Sequence, residues 1–226
     1  YFWFTMPLRK CSFVTVISEA TKQELLKYVK YPVENIYVIP VAISPAFQYV
    51  LKPFNEEKPV ILQVGTTPNK NIGRLIQAIK GISCHLVIIG NLSPEIIAQL
   101  KNNDISYSNF QNLTDQQVVD QYAHCDVLSF ASTYEGFGMP IVEANATVIP
   151  VITSNLLSMP EIAGKAACIV DPFDVDSIRQ GILKVIKDKS YREELVRKGL
   201  TNCQRFDPRS IADAYLTLYK KIAGYK

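Results

Sequence analysis

Residues 126–146 read DVLSFASTYEGFGMPIVEANA, and this stretch contains the strongest structural signal in the sequence. It begins with a short apolar run and continues into a loop that contains Glu135, Gly136 and Gly138. Pro140 follows the loop, where its fixed φ and missing N–H suit the first turn of a helix. We therefore predict a buried strand, a glycine-containing loop and a helix in direct succession.

The same alternation of apolar runs and amphipathic stretches extends along most of the chain. The runs are rich in Val and Ile and lack polar alternation, which is typical of strands buried on both faces of a parallel sheet. Between them, Ser18, Ser93 and Thr114 are suitable helix caps, and Gln117 completes a capping-box pattern with Thr114. Strand and helix in repeated succession predict a Rossmann-like, doubly wound α/β sheet. The runs are SFVTVIS, IYVIP, PVILQVG, HLVIIG, ISYSNF, DVLSFAS, VIPVITS and ACIVDP.

The alternation is interrupted once, by the segment AISPAFQYVLKPFNEEKP, which has three prolines and no helical period. We interpret residues 43–58 as a linker between two domains. Residues 1–42 are then the end of a first domain, and residues 59–207 form the main one. Residues 208–226 are expected to form a C-terminal helix, whose predicted apolar stripe consists of Ile211, Ala212, Tyr215, Leu218 and Tyr219.

Composition excludes several classes of protein. The net charge of +3 and the absence of a block of like charges argue against nucleic-acid binding. The five cysteines are odd in number, widely spaced and without a CxxC pair, which argues against a disulfide framework or a zinc site and favours a reducing cytosol. No apolar run approaches the roughly 18 residues that a membrane span needs.

The opening YFWFTMPLRK, residues 1–10, is aromatic and basic. It is suited to peripheral contact with a membrane, but we favour packing against a part of the protein that is absent. The start at Tyr1 is typical of a fragment, and the apolar opening and tail helix favour its self-association.

The loop at residues 135–139 has the features of an anion-binding site. Gly136 and Gly138 permit positive φ and the close approach of a ligand. The N–H groups of Phe137, Gly138 and Met139 are expected to point out of the helix start, whose partial positive charge suits a diphosphate. Glu135 lies beside this turn.

Glu143 lies one turn inside the same helix. Two carboxylates flanking an anion-binding turn suit the hydroxyls of a sugar and a ribose. The residues alone leave another interpretation open, in which Glu135 is a solvated loop acid favoured by the helix dipole and Glu143 is an ordinary surface residue.

The spacing of Glu135 and Glu143 resembles the E-x7-E signature of the retaining GT-B glycosyltransferases of family 4. Other segments resemble that family in the same order along the chain, so the resemblance covers nearly all 226 residues. The segments are VTVISEATKQELLKY, IYVIP, VILQVGTTPNKNIGRLIQAI, SNFQNLTDQQVVDQYAHCDVLSFAS and SNLLSMPEIAGKAACIVDPFD.

This resemblance implies roles for individual residues. Glu135 is the catalytic-site carboxylate that meets the donor sugar, and Glu143 meets the ribose. The backbone at 137–139 meets the sugar and the β-phosphate. Lys70 is the cation for the diphosphate, whereas its alternative interpretation is a surface lysine at a helix start.

Two further parts of the site follow from the resemblance. Gly65 and Thr66 are expected to offer backbone and hydroxyl groups to a phosphate. The segment 110–113, with Phe110, Gln111 and Leu113, is expected to line the base, largely through backbone groups.

The sequence departs from the family at two places. Thr66 and Asn69 occupy positions at which many relatives carry an arginine for the diphosphate, and Val41-Ala42 replaces an Asn-Gly pair. The lost cation permits an alternative function, a catalytically inactive binding or scaffold module. A GT-B nucleotide-sugar epimerase is a weaker alternative, because it lacks the E-x7-E pattern.

The expected function is transfer of a sugar from a UDP- or GDP-sugar to a glycan or lipid-linked acceptor, with retention of configuration and without metal or cofactor. The acceptor is expected to bind the absent domain, so these 226 residues should bind donor without transferring it. Asp174 and Asp176 spell a DxD metal motif but are better explained by helix capping. His85 and His124 are too far apart in the sequence to suggest a metal pair.

Overall fold

The computed structural model describes residues 5–49 and 52–224 and confirms the α/β class. Within these ranges, strands form two parallel sheets, and helices connect successive strands within each sheet. The strands are β1 (Val14–Val16), β2 (Ile36–Val38), β3 (Val60–Val64), β4 (His85–Ile89), β5 (Tyr107–Phe110), β6 (Val127–Phe130), β7 (Val151–Ser154) and β8 (Ala167–Val170). The helices are α1 (Thr5–Leu8), α2 (Glu19–Tyr28), α3 (Ile72–Ile79), α4 (Pro94–Asn102), α5 (Asp115–His124), α6 (Met139–Ala146), α7 (Met159–Ala163), α8 (Val175–Lys187), α9 (Lys189–Cys203) and α10 (Pro208–Ile222).

The larger sheet has six strands in the order β5-β4-β3-β6-β7-β8, and all neighbours are parallel. The chain proceeds outward from β3 to β5, crosses to β6 through α5, and then continues to β8 in the opposite direction. The order of strands therefore reverses between β3 and β6. In open α/β sheets, ligands bind at such a reversal, outside the carboxyl ends of the strands.

Both faces of this sheet are buried, which explains the continuous apolar runs. One face packs against α3, α4 and α8, whose fully buried side chains include Ile76, Leu100 and Ile182. The other face packs against α5, α6 and α7, where Tyr122 and Ile141 are fully buried. Tyr122, Glu143 and Glu161, which are discussed below, belong to the helices on this second face.

The helix caps expected from the sequence are present. The side chains of Ser18 and Ser93 accept hydrogen bonds from backbone N–H groups of α2 and α4. Thr114 and Gln117 form the complete capping box of α5. These local predictions are correct because each capping residue binds groups within its own helical turn.

The smaller sheet consists of β1 and β2, which are paired in parallel and are connected by α2. Helix α10 returns to this unit and packs Ile211 and Leu218 against Ile39. The predicted helix is confirmed, but its predicted stripe is too wide, because Ala212 is exposed and Tyr219 is 60% exposed. The face of α10 that carries Ile211 and Leu218 is buried, not exposed as expected. The buried stripe is narrow because the small sheet can cover only part of the helix.

The described parts of the predicted linker, 43–49 and 52–58, contain no helix or strand. Phe47 in this segment packs against the face of the sheet that holds Tyr122, with ring centroids 5.3 Å apart. The position of the domain boundary stays a prediction. Residues 1–4 of the aromatic opening and 225–226 of the tail lie outside the described residues.

Candidate functional site

Two loops leave the carboxyl ends of β3 and β6, the adjacent strands at which the strand order reverses. They are joined by hydrogen bonds, because the Thr133 N–H donates to the Asn69 carbonyl at 2.8 Å. The Asn69 amide donates to the Tyr134 carbonyl at 2.9 Å, and the buried Asn71 amide donates to the Ala131 carbonyl at 3.0 Å. These bonds hold the two loops in a defined relative position.

Lys70 and Glu135 come from these two loops and form an ion pair, with Nζ 2.6 Å from Oε1. Their side chains are only 20% and 15% exposed. Lys70 also lies 4.8 Å from the centre of the Phe130 ring. The alternative interpretations of a surface lysine and a solvated loop acid are therefore both wrong.

Gly65 makes room for the stem of Lys70. Its φ is +85°, and a Cβ at this position would lie 3.0 Å from the Lys70 Cε. A side chain is therefore disfavoured both by backbone conformation and by contact. The sequence placed Gly65 in the site as a backbone donor, whereas the structure also gives it this packing role.

Helix α6 begins beside the ion pair. Gly138 precedes its first residue with a φ of +109°, and no side chain caps the helix. The hydrogen bonds of the described residues include none donated by the N–H groups of Phe137, Gly138 or Met139. The Phe137 side chain is buried against Phe206 and Gly138 is buried as well, so a ligand could meet this turn only through its backbone groups and not through the aromatic ring.

The prediction of positive φ at Gly136 is wrong, because that conformation occurs at Gly138 and not at Gly136. The Gly136 carbonyl instead accepts hydrogen bonds from the hydroxyls of Ser18 at 2.7 Å and Thr21 at 2.9 Å. Gly136 thus links the loop to α2. No local signal in the sequence distinguishes the two glycines.

The start of α2 is fully provided with acceptors. Ser18 accepts from the Thr21 N–H, as predicted. The Glu161 carboxylate, from α7, accepts from the N–H groups of Glu19 at 2.9 Å and Ala20 at 3.2 Å. The sequence analysis missed this role of Glu161, because the two partners lie far apart in the chain.

Glu143 is half-buried and not an ordinary surface residue. The hydroxyl of the fully buried Tyr122 donates to its Oε2 at 2.5 Å. Burial raises the pKa of the Glu143 carboxyl, and the Tyr122 hydrogen bond and the Lys70 charge partly oppose that rise. Lys70 therefore acts electrostatically on both carboxylates. Sequence reasoning missed Tyr122, which has the spacing of a core residue of α5.

Thr66 is less available than expected. Its hydroxyl donates to the Asn91 carbonyl at 2.6 Å, and its side chain packs over Gly90. The proton that was expected to reach a phosphate is thus already engaged within the chain.

The segment expected to line the base follows β5, on the far side of β4 from Lys70. The Phe110 carbonyl accepts from the Gly90 N–H at 2.9 Å. Gln111 is exposed and Leu113 is half-buried. These residues share the carboxyl edge of the sheet with the ion pair.

The structure also bears on the metal motifs. Among the described residues, no group of three or more His, Cys, Asp or Glu side chains could hold a metal ion. Asp174 caps α8 by accepting from the Asp176 N–H, as expected. His85 begins β4, with both ring nitrogens hydrogen-bonded to serine hydroxyls, and His124 ends α5.

None of the described helices is both long and apolar enough to span a bilayer.

Known proteins resemble the chain in both sequence and structure. It is 28% identical to O-antigen chain mannosyltransferase B of Escherichia coli, over 94% of this chain and 61% of that protein. It is 24% identical to the MMP alpha-(1->4)-mannosyltransferase of Mycolicibacterium hassiacum, over 91% of this chain and 53% of that protein. The chain thus spans only about half to three fifths of these two relatives.

Solved structures show the same fold. Sucrose-phosphate synthase from Thermosynechococcus elongatus superposes with a TM-score of 0.84 and 20% identity, over 96% of this chain and 60% of that chain. The HepE protein of Anabaena, in complex with UDP and glucose, superposes with a TM-score of 0.81 and 18% identity, over 94% and 64%. The six-stranded parallel sheet is therefore the Rossmann-like sheet of a GT-B domain.

The sequence also matches a family profile over residues 51–201, which is more than half of the chain. This range contains the ion pair, the start of α6 and Glu143, so the match includes the elements that build the site. The chain belongs to the family Glycosyl transferases group 1.

Proposed function

We propose that the chain is the donor-binding portion of a retaining glycosyltransferase. The donor is a nucleotide sugar, and the transfer requires neither a metal ion nor a cofactor. The acceptor oxygen replaces the diphosphate oxygen on the same face of the sugar.

The observation that carries this proposal is the position of the Lys70–Glu135 pair beside the start of α6. A cation is present there, at the carboxyl edge of the sheet, and the neighbouring N–H groups of 137–139 have no acceptor among the described residues. Such a combination suits an anion with two or more phosphate groups.

The same arrangement supplies the chemistry of transfer. A diphosphate that leaves the sugar gains negative charge, and preorganised donors that face this charge lower the barrier. Lys70 and the N–H groups of 137–139 are these donors in our proposal. When Lys70 binds the diphosphate, the Glu135 carboxylate is free to accept from the sugar hydroxyls.

Glu143 and the carboxyl end of β5 complete the donor site. The half-buried Glu143 carboxylate accepts from the two ribose hydroxyls, each through a charge-assisted hydrogen bond. The segment 110–113 receives the base.

The relatives suggest the sugar. Two that match along most of this chain are named as mannosyltransferases. We therefore propose a mannosyl donor, with a saccharide or lipid-linked saccharide as the acceptor. Because the relatives are longer than this chain, we propose that these residues bind donor without transferring it at the rate of the whole enzyme.

Isothermal titration calorimetry tests the donor site. The chain is titrated with UDP, GDP, the corresponding monophosphates, GDP-mannose and UDP-glucose. We expect a diphosphate to bind more tightly than its monophosphate, and one nucleotide sugar to bind most tightly. Absence of binding by every nucleotide would contradict the proposal and favour the inactive scaffold, for which the missing arginine is the supporting observation.

Two carboxylate variants separate the proposed roles. Glu143→Ala should weaken UDP or GDP about tenfold or more, because a charge-assisted bond to the ribose is lost. Glu135→Ala should leave the free nucleotide nearly unchanged and remove the extra affinity that the sugar provides. The exposed Glu193→Ala has the same charge change and is the control. Equal loss of nucleotide affinity in both test variants would refute this division of roles.

A further inference from the structure

We infer that Tyr122 is a positioning residue of the donor site, whose hydroxyl orients the Glu143 carboxylate toward the two ribose hydroxyls. This inference rests on the proposed function and deepens it. Tyr122 itself touches no ligand in this proposal, because its side chain is fully buried.

The position of the Tyr122 hydroxyl is determined by its surroundings. The residue lies near the end of α5 and is 0% exposed. The ring of Phe47 meets its ring edge-on, with centroids 5.3 Å apart. Because α5 and α6 pack on the same face of the sheet, the hydroxyl has a fixed place beside Glu143.

The hydrogen bond is short and charge-assisted. The Tyr122 oxygen lies 2.5 Å from Glu143 Oε2, at the lower end of the range for a hydroxyl that donates to a carboxylate. A carboxylate has about four acceptor positions, so one such bond leaves positions for two further donors. A ribose diol offers two hydroxyl donors, and the remaining positions are sufficient to accept both.

The surroundings of Glu143 favour a positioning role over a purely structural one. A neutral amide would satisfy the buried hydroxyl equally well and would avoid placing a charge in a half-buried position. Burial disfavours the negative charge of Glu143, and Lys70, whose charge favours it, is already paired with Glu135. A carboxylate in this place is explained by a ligand that donates hydrogen bonds.

The hydrogen bond also influences titration. Two groups act on the Glu143 carboxyl: Tyr122 from α5 and Lys70 from the turn before α3, and both lower its pKa. Burial raises the pKa of Tyr122 well above its ordinary value, so its hydroxyl stays a donor across the neutral range. Removal of the hydroxyl should raise the Glu143 pKa, and nucleotide affinity should then begin to fall at a higher pH.

The experiment compares Tyr122→Phe with wild type by calorimetry from pH 5 to 8. The probes are UDP, GDP and 2′,3′-dideoxy-UDP, which lacks both ribose donors. We expect UDP or GDP to bind about fivefold more weakly or worse, the acid limb to move to higher pH, and the dideoxy probe to be nearly unaffected. Tyr215→Phe, on α10, is the matched control.

A double-mutant cycle with Glu143→Gln tests whether Tyr122 acts through the carboxylate. In the Glu143→Gln background, loss of the Tyr122 hydroxyl should change neither the ribose dependence nor the pH profile. If Tyr122→Phe weakens binding as much in the Glu143→Gln background as in wild type, the inference is wrong, because Tyr122 would then act on folding in general and not through the carboxylate.

A third variant covers a failure of Tyr122→Phe to fold. Site-specific 3-fluorotyrosine at position 122 keeps the hydroxyl and makes it a stronger donor, so the acid limb should move to lower pH. If wild type binds UDP with ribose dependence but the acid limb does not move in the fluorotyrosine variant, the inference alone is refuted. Wild type that binds no nucleotide would refute the proposed function and this inference with it.

Discussion

The starts of α2 and α6 meet at Gly136, yet they satisfy the same physical requirement in different ways. The first N–H groups of any helix need acceptors from outside the helix. At α2, the Ser18 hydroxyl and the Glu161 carboxylate supply them. At α6, no side chain of the described residues caps the helix, and the Glu135 carboxylate in the preceding loop pairs with Lys70 instead.

This difference distinguishes a structural helix start from one suited to a ligand. The acceptors of α2 come from α7 and from its own cap, so that start joins the small sheet to the rest of the chain. The start of α6 keeps its donors beside a cation. The capping residue alone does not distinguish a structural helix start from a ligand-binding one, because at α2 two of the N–H groups are satisfied by Glu161, which is distant in the sequence.

The largest effect is expected from removal of the cation beside α6. Lys70→Ala should weaken UDP or GDP at least about tenfold, since a charge-assisted contact with the diphosphate is lost. Monophosphates should lose less, because Lys70 is expected to face the diphosphate. Calorimetry with both nucleotide classes measures the effect, and the exposed Lys101→Ala is the control. A similar loss for both classes would place Lys70 away from the diphosphate.

The next effect tests the backbone of the α6 start. Gly138→Ala should lower the free energy of unfolding by about 1–3 kcal/mol, because alanine rarely adopts a φ near +109°. Its Cβ would also lie 3.1 Å from the Ile141 Cδ1. Gly136→Ala is the matched control, since its Cβ would meet Thr21 Oγ1 at an ordinary 3.6 Å. Urea denaturation gives both values, and equal losses would show that φ does not set the requirement.

A smaller effect is expected at the capped helix start. Glu161→Ala removes the acceptor for two N–H groups of α2 and should destabilise the protein by about 1 kcal/mol. Nucleotide affinity should stay within about twofold of wild type, because Glu161 binds α2 and not the donor. Unfolding and calorimetry are measured on the same preparation. A loss of binding as large as that of Lys70→Ala would mean that the two helix starts are not separate in function.

The smallest effect concerns the charge inside α6. The folded-state pKa of Glu143 is raised by burial, so its ionised form opposes folding at pH values above that pKa. Glu143→Gln should therefore be slightly more stable than wild type at pH 7 to 8, and the difference should shrink as the pH falls through the Glu143 pKa. Urea denaturation across pH 4.5 to 8 measures this. A variant that is less stable at every pH would show that the charge stabilises the free protein.

The comparison also shows which features could be predicted from the sequence. Each described strand lies within one of the short runs noted in the sequence, and the apolar signal is continuous where both faces are buried, as in β6 and β7. The caps of α4 and α5 were predictable because capping is local. Lys70 and Glu135 were assigned by resemblance, and their contact follows from the adjacency of β3 and β6.

Three features depended on distant partners and were missed or misplaced. Tyr122 has the spacing of a core residue, and its bond to Glu143 joins two different helices. Glu161 has no local sign of binding α2. Gly136 was expected to have positive φ, but its carbonyl contact with Ser18 and Thr21 depends on tertiary packing. Periodicity and caps carry no information on such contacts.

The packing of α10 on the smaller sheet has a consequence for the order of folding during synthesis. Lys221 donates to the Tyr37 hydroxyl at 2.6 Å, across a sequence separation of 184 residues. Strand β2 leaves the ribosome before the whole six-stranded sheet, whereas its covering helix leaves after it. Contacts of such long range form late, because closing a long loop costs entropy before the contact stabilises anything. Ile39 can therefore make its contacts with Ile211 and Leu218 only after the larger sheet has been synthesised.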